Sequence, residues 1–547
     1  MSVSASRIVC YLSGLLLGFA GFVSVLAEDG TKPVTPSKPE TSPAISFDCQ
    51  SDGCRNCCAF DFSKTPPIWP APRTGNFPNP PKGPGYYSLL DQIRGEYREN
   101  PPKYGYPPFA LMQYSFFNAD FRYLDDPKNT SFDYCDPIKR MHLGNNWLFS
   151  TGGQVWNRYM NEDNSRLTHT DNNYDLFRVR AYGDLWYQDK FRLYAEFISA
   201  HIFDPDLPQL PIDANGADFQ NLFIDLKIAE LDGNSVYLRV GRQELLYGSQ
   251  RLISTLDWAN TRRTFQGVSA LYQSEKWDLS AFWVQPVLPD KEKFDSVDNN
   301  QNFAGLWATH RPEKGQSIDL YYLFLDNTNE VTQLNMTRAP YNVHTMGSRY
   351  FGDKDNVLWD VEAALQLGKR GEGQIVAGMA TAGAGYHFSN LLFNPTFWVY
   401  YDYATGDSNP NEGSYTTFNQ LFPFGHYYLG WADLVGRQNI QDLNAHLYLY
   451  PTNWITLWLQ YHHFRLAASQ DALYNAAGLA IRRDPSGNAG SEVGNEFDLV
   501  LNFHLTKHSD LMFGYSKLYG GSFLEETSSA EKAVNSDMLF LLYSYRW

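Results

Sequence analysis

From residue 146 to its end the chain is dominated by stretches of about ten residues in which apolar and polar side chains alternate, and a period of two restricts the fold to sheet. Phe177, Val179 and Ala181 interleave with Arg178, Arg180 and Tyr182. Leu222, Ile224, Leu226 and Ile228 interleave with Phe223, Asp225 and Lys227. The same holds for Ile455, Leu457 and Leu459 against Thr456, Trp458 and Gln460, and for Leu499, Leu501, Phe503 and Leu505 against Asp498, Asn502 and His504. Eighteen such strands can be placed, beginning near positions 146, 175, 191, 219, 235, 265, 277, 302, 316, 343, 357, 374, 396, 437, 453, 495, 509 and 537.

Soluble sandwiches alternate in this way too, so the turns decide. Those near Asp189, Ser274 to Lys276, Arg311 to Gly315, Pro451-Thr452 and Lys507-His508 are tight. Those from Pro286 to Gln301, Asp326 to Asn342, Gly406 to Gly436, Ala467 to Gly494 and Gly520 to Ser536 are long. Counted back from the C-terminus, every clear tight turn falls on one side and every clear long loop on the other, as in an outer-membrane barrel. Only Tyr350 to Phe388 blurs the alternation. At the C-terminus, Leu539, Leu541, Tyr543, Tyr545 and Trp547 form one apolar face closing on an aromatic, opposite Ser544 and Arg546. The expected fold is all-β: a closed antiparallel transmembrane β-barrel of about 18 strands, which satisfies every backbone N–H and C=O within lipid. The 16% aromatic content suits two interfacial girdles.

Arg7 precedes an apolar run from Ile8 to Leu26, followed by Val25-Leu26-Ala27, which reads as a signal peptide over 1–27, with an uncleaved anchor as the alternative. Residues 28–108 are rich in Pro, including Pro66-Pro67, Pro80-Pro81 and Pro101-Pro102. They read as a largely disordered periplasmic extension. Residues 109–145 form a connector of undefined structure, and 146–547 the barrel. Cys49, Cys54, Cys57, Cys58 and Cys135 remain after the signal peptide. In an exported compartment disulfides are their default state, with one thiol left over because the count is odd. Neither an iron–sulfur nor a zinc assignment has support from the flanking sequence, so no cofactor and no metal is assigned. The net charge of −16 excludes a general nucleic-acid binder.

Between Arg178 and Arg263 arginine outnumbers lysine: Arg178, Arg180, Arg192, Arg239, Arg242, Arg251, Arg262 and Arg263 stand against Lys190 and Lys227. Guanidinium is planar, always charged and able to bind a carboxylate through two parallel hydrogen bonds. Arg178, Arg180, Arg192 and Arg239 fall on the polar parity of their strands, toward the lumen. Pairing with Asp184, Glu196, Asp225, Glu244 and Asp257 would instead make them a ladder that stiffens the wall. Both roles are expected together, with the carboxylates keeping each anion site shallow enough to release its occupant. The lumen-facing acids proposed are Asp184, Asp225, Glu496 and Asp498.

The stretch Arg239-Val240-Gly241-Arg242-Gln243-Glu244, followed by Leu256-Asp257-Trp258-Ala259-Asn260-Thr261-Arg262-Arg263-Thr264-Phe265, resembles the signature of the alginate-export outer-membrane porin family. Phe177 to Gly183, Glu496 to Val500, Asn453 to His463 and Arg546-Trp547 support it. The resemblance covers roughly 146 to 547. It implies an 18-stranded barrel in the outer membrane, with a positively charged pore that Arg239, Arg242, Arg437 and Arg465 help to line. The Cys- and Pro-rich region before residue 110 lies outside the family pattern.

The function expected is passive export of an anionic polysaccharide of the alginate type. The alternative is an anion-selective or general porin for small acids or sugars. Expected partners are the anionic polysaccharide, outer-membrane lipid and a periplasmic export complex. Catalysis by His446, His462, His463 or His504 would need a nucleophile motif that the sequence lacks, so no enzyme is expected.

Overall fold

Within lipid a strand has no solvent to bond its backbone, so each must pair on both edges and the sheet must close. In a computed structural model, eighteen antiparallel strands do this. They are β1 (Trp147–Asp163), β2 (Asn172–Tyr187), β3 (Phe191–Phe203), β4 (Asn215–Leu231), β5 (Asn234–Gln243), β6 (Phe265–Gln273), β7 (Trp277–Leu288), β8 (Gln301–His310) and β9 (Gln316–Asn327), followed by β10 (Tyr341–Lys354), β11 (Val357–Arg370), β12 (Gly373–His387), β13 (Thr396–Ala404), β14 (Ile440–Thr452), β15 (Ile455–Leu466), β16 (Glu492–Thr506), β17 (Ser509–Gly520) and β18 (Ser536–Arg546). Each pairs with the next in sequence, and β1 pairs with β18 from Gln154 opposite Arg546 to Asp163 opposite Asp537. The residues described are 59–67, 85–96, 109, 111, 115–129, 133–334, 336–338, 340–409 and 412–547. The expected signal peptide, Cys49, Cys54, Cys57, Cys58 and most of the expected extension lie outside them.

Every strand begins within a few residues of its expected start. The blurred region has a plain cause. β11 and β12 are joined at the rim of long loops by only Gly371-Glu372, while β12 and β13 are joined at the tight-turn rim by eight residues, 388–395.

Burial is inverted relative to a soluble protein, in which charged residues are almost never fully buried unless paired. Leu306 is 58% exposed and Leu320 52%, while Arg178 and Arg180 are each 1% exposed. Apolar side chains face outward to lipid and charged ones inward. We expect Leu365→Arg, near the middle of β11 on the outer face, to destabilise the barrel by about 2–4 kcal/mol. Urea titration of protein refolded in vesicles measures this, and an unchanged midpoint would deny that this face meets lipid.

The seam is tight. Gly153 N–H donates to the Trp547 carbonyl at 3.0 Å and Trp547 N–H to the Gly153 carbonyl at 3.1 Å. A Cβ at Gly153 would collide with the Arg180 carbonyl and the Trp547 ring, so only glycine fits.

Segments before β1 cover the tight-turn rim and enter the lumen. The helix α1 (Leu89–Arg94), capped by the Ser88 hydroxyl, meets the β14–β15 turn where Trp454 Nε1 donates to Gln92 Oε1 at 2.8 Å. Arg140 holds the Phe62 and Thr65 carbonyls together with Asp125. Phe109 and Leu111 are buried in the main apolar core, and Phe116 and Phe117 pack on Tyr182, Tyr194 and Phe223 of the inner wall. The described residues of the connector between 109 and 125 therefore form an internal plug.

Candidate functional site

The sequence places arginine at alternate positions on neighbouring strands, and antiparallel register brings them side by side on the inner wall from β2 to β5. Arg180 Nε donates to Glu196 Oε1 at 2.6 Å. Arg192 grips Asp184 through two bonds of 2.7 and 2.8 Å, and lies 3.5 Å from Asp225. Arg239 grips Asp225 through bonds of 2.7 and 2.9 Å. Arg178 donates to the Ala259 carbonyl and to Asp257 at 3.1 and 3.3 Å. Aromatic faces lie against these guanidiniums: Trp156 is 3.9 Å from Arg178 and Phe223 is 3.8 Å from Arg239. Arginine stacks well because it is planar and weakly hydrated.

Two loops and the plug lean on this wall. The loop 244–264, between β5 and β6, turns inward. There Arg262 binds Glu244 through bonds of 2.6 and 3.0 Å and also contacts Asp257. Glu244 in turn accepts from the Ser115 hydroxyl of the plug and from Gln220. The plug closes on the arginines: Arg192 donates to the Phe117 carbonyl at 2.8 Å, and the Phe116 ring lies 4.2 Å from Arg180.

The loop 405–439, between β13 and β14, also turns inward and zips to the first. Phe422 N–H donates to the Leu252 carbonyl at 2.9 Å and Ser254 N–H to the Phe422 carbonyl at 3.0 Å. Trp258 stacks on His426 at 3.9 Å and meets Phe540 of β18 edge-on at 5.0 Å. Arg437 of this loop binds Asp402. Glu496 accepts from Ala432 N–H at 3.0 Å and Asp498 from Trp431 N–H at 3.4 Å. Those two carboxylates therefore anchor the second loop to β16.

Arg178, Arg180, Arg192, Arg239, Arg262 and Arg437 are buried inside the barrel, each with a carboxylate partner. Arg263 differs: it is held by the Ser254, Phe422 and Pro423 carbonyls, with no carboxylate partner among the described residues. The inward placement expected for Arg242 and Arg465 is not what the structure has. Arg239 and Arg242 are three residues apart, so a period of two sends them to opposite faces. Arg242 stands opposite the exposed Leu222 and turns at the rim to Asp218 at 3.0 Å. Arg465 follows the inward Phe464, is exposed, and donates to Ser491.

Residues missed in the sequence include Arg158, sandwiched by Trp156 and Trp258 at 4.8 and 3.6 Å, and Arg349 on β10. A cavity of about 130 Å³ remains beside the plug, lined among others by Phe117, Arg239, Tyr247, Trp307, Asp319 and Arg349. Arg349 Nε donates to Asp360 at 2.6 Å, while its Nη1 and Nη2 have no hydrogen-bond partner among the described residues. The histidines are wall residues: His462 contacts Asp442 and Gln460, His504 contacts Asp510 and His446 contacts Asn444. Outside the spanning strands, burial lowers the Lys139 ammonium to about 7. Its Nζ donates to the Tyr182 hydroxyl and the Trp547 carbonyl at 3.0 and 3.1 Å.

The chain matches the family model for alginate export over residues 148–535. No curated protein matches it in sequence. Among solved structures it is similar to the outer membrane protein opdK of Pseudomonas aeruginosa, at 13% identity and TM-score 0.50, and to OccAB2 of Acinetobacter baumannii, at 12% and 0.51. Each likeness covers 73% of this chain and 98% of the other, and is a likeness of fold. The closed inward-charged barrel and the match over most of the chain give one conclusion: this is a member of the alginate export family, a porin-type barrel of the outer membrane with an export role.

Proposed function

We propose that the barrel passes an anionic polysaccharide, a polyuronate of the alginate type, passively outward along the arginine wall. The observation that carries this reading is the inward ladder of Arg178, Arg180, Arg192, Arg239 and Arg262, each beside a carboxylate. A uronate carboxylate arriving at such a guanidinium can replace Asp184, Asp225 or Glu244 as its partner. One charge-assisted pair is exchanged for another, so the step is close to balanced and no site holds the polymer long. The Nη groups of Arg349, 3.9 Å from Asp319 at the nearest and without a hydrogen bond among the described residues, lie beside Trp307 and Tyr247 and supply a further position at which a uronate can displace a carboxylate. In the arrangement described, the plug and the two inward loops occupy the route, so conduction requires their displacement. A periplasmic export complex acting on the segment before β1 is the partner suited to move it.

Planar-bilayer recording tests this. The channel should prefer anions and oligouronates should block it from the tight-turn side. A cation-selective current indifferent to uronates would remove the reading. An anion-selective current blocked by small organic acids but not by uronates would favour a small-solute porin.

A further inference from the structure

Asp133 and Cys135 lie just before β1, and His508 lies in the turn between β16 and β17, 375 residues from Asp133. The fold brings one carboxylate oxygen, one sulfur and one ring nitrogen from them within 4.8 Å of one another. Thiolate, imidazole and carboxylate are the ligand set of a borderline-soft divalent ion. Bonds of about 2.0–2.3 Å place tetrahedral ligand atoms roughly 3–4 Å apart. We propose that Asp133, Cys135 and His508 form a binding site for one divalent transition-metal ion of the zinc type at the periplasmic rim.

The imidazole is already set for this. His508 Nδ1 lies 2.6 Å from the Arg546 carbonyl, which can only accept, so Nδ1 carries a proton and Nε2 is turned to the cluster. A ligating histidine is oriented in this way by a partner on its other nitrogen. Nε2 stands 2.8 Å from Asp133 Oδ1. A metal ion there would take Nε2 and Asp133 Oδ1 as two of its ligands.

Cys135 and His508 are each under one-tenth exposed, and Cys135 forms no disulfide among the described residues. Burial raises the Cys135 thiol to about 11, so the thiolate forms when the ion binds. Binding releases the thiol proton to solvent. Two ligands belong to the segment leading from the plug and the third to a turn of the wall. The ion would fasten one to the other.

The test uses the full chain with Cys49, Cys54, Cys57 and Cys58 changed to serine, because those thiols can bind metal themselves. Titration with Co²⁺ should give a thiolate-to-cobalt charge-transfer band saturating at one equivalent, which Zn²⁺ then bleaches. Cys135→Ser should abolish the band, and His508→Ala should weaken affinity by at least about tenfold. Heat-modifiable gel migration should stay unchanged, showing that the variants fold. No band in the background protein, or a band that survives Cys135→Ser, overturns the site. Neither result bears on conduction of uronates.

Discussion

A chain carrying F116A and F117A should conduct in planar bilayers under conditions where the parent is mostly shut. The two rings pack the plug into one buried apolar cluster with Tyr182, Tyr194 and Phe223. Phe117 meets Phe223 at 5.3 Å and Tyr194 at 5.6 Å, both edge-on. Losing a buried phenyl ring costs about 3–5 kcal/mol when it is fully packed. Even 3 kcal/mol shifts the ratio of open to docked states by about a hundredfold. Single-channel recording reads this as open probability, and an unchanged open probability would show that the plug is not what shuts the lumen. Ser115→Ala, which removes only the hydroxyl on Glu244, should act in the same direction and more weakly, at about 1 kcal/mol.

The second large effect is expected at Asp225. This carboxylate serves two guanidiniums, Arg239 through a fork and Arg192 at 3.5 Å. Asp225→Ala leaves both without it inside the wall, and removing one partner of a buried pair costs about 3–5 kcal/mol. The urea midpoint should fall accordingly. The lumen also gains one positive charge. Its interaction with an ion passing at 4 Å is about 1 kcal/mol in bulk water and about 4 kcal/mol at an effective dielectric of 20. The anion-to-cation permeability ratio, measured from reversal potentials in the F116A/F117A background, should therefore rise by at least about fivefold. A ratio that stays constant while stability falls would mean that the ladder only holds the wall together.

Much of this architecture is legible in the sequence because each strand has to satisfy two solvents at once. Lipid on one face and a charged interior on the other write a strict alternation, and Arg178, Arg180, Arg192 and Arg239 could be assigned to a face by parity alone. The same rule, applied to Arg242 and Arg465, would have placed both outward. Resemblance to a family motif drew them inward instead.

The plug could not be read. Phe109, Leu111, Phe116 and Phe117 follow no period, because their partners lie on a curved wall assembled from distant strands. The inward course of the two long loops was hidden for a related reason. Trp258, His426 and Phe540 are far apart in the chain and meet only once the barrel has closed. A loop rich in Trp, Tyr and Phe, such as 418–431, is poorly suited to open water, and that composition was the available signal.

The ladder has one more property, which concerns biogenesis. Arg192 and Asp184 are 8 residues apart, Arg239 and Asp225 are 14, Arg180 and Glu196 are 16, and Arg262 and Glu244 are 18. Each of these four cations thus meets its anion within a single hairpin or loop, whereas Arg178 meets Asp257 across 79 residues. A sheet of only β2 to β5 therefore already pairs Arg180, Arg192 and Arg239 with carboxylates along its inner side. Insertion by hairpins would then bring most of the ladder's cations in with their anions, leaving Arg178 to await the loop that carries Asp257.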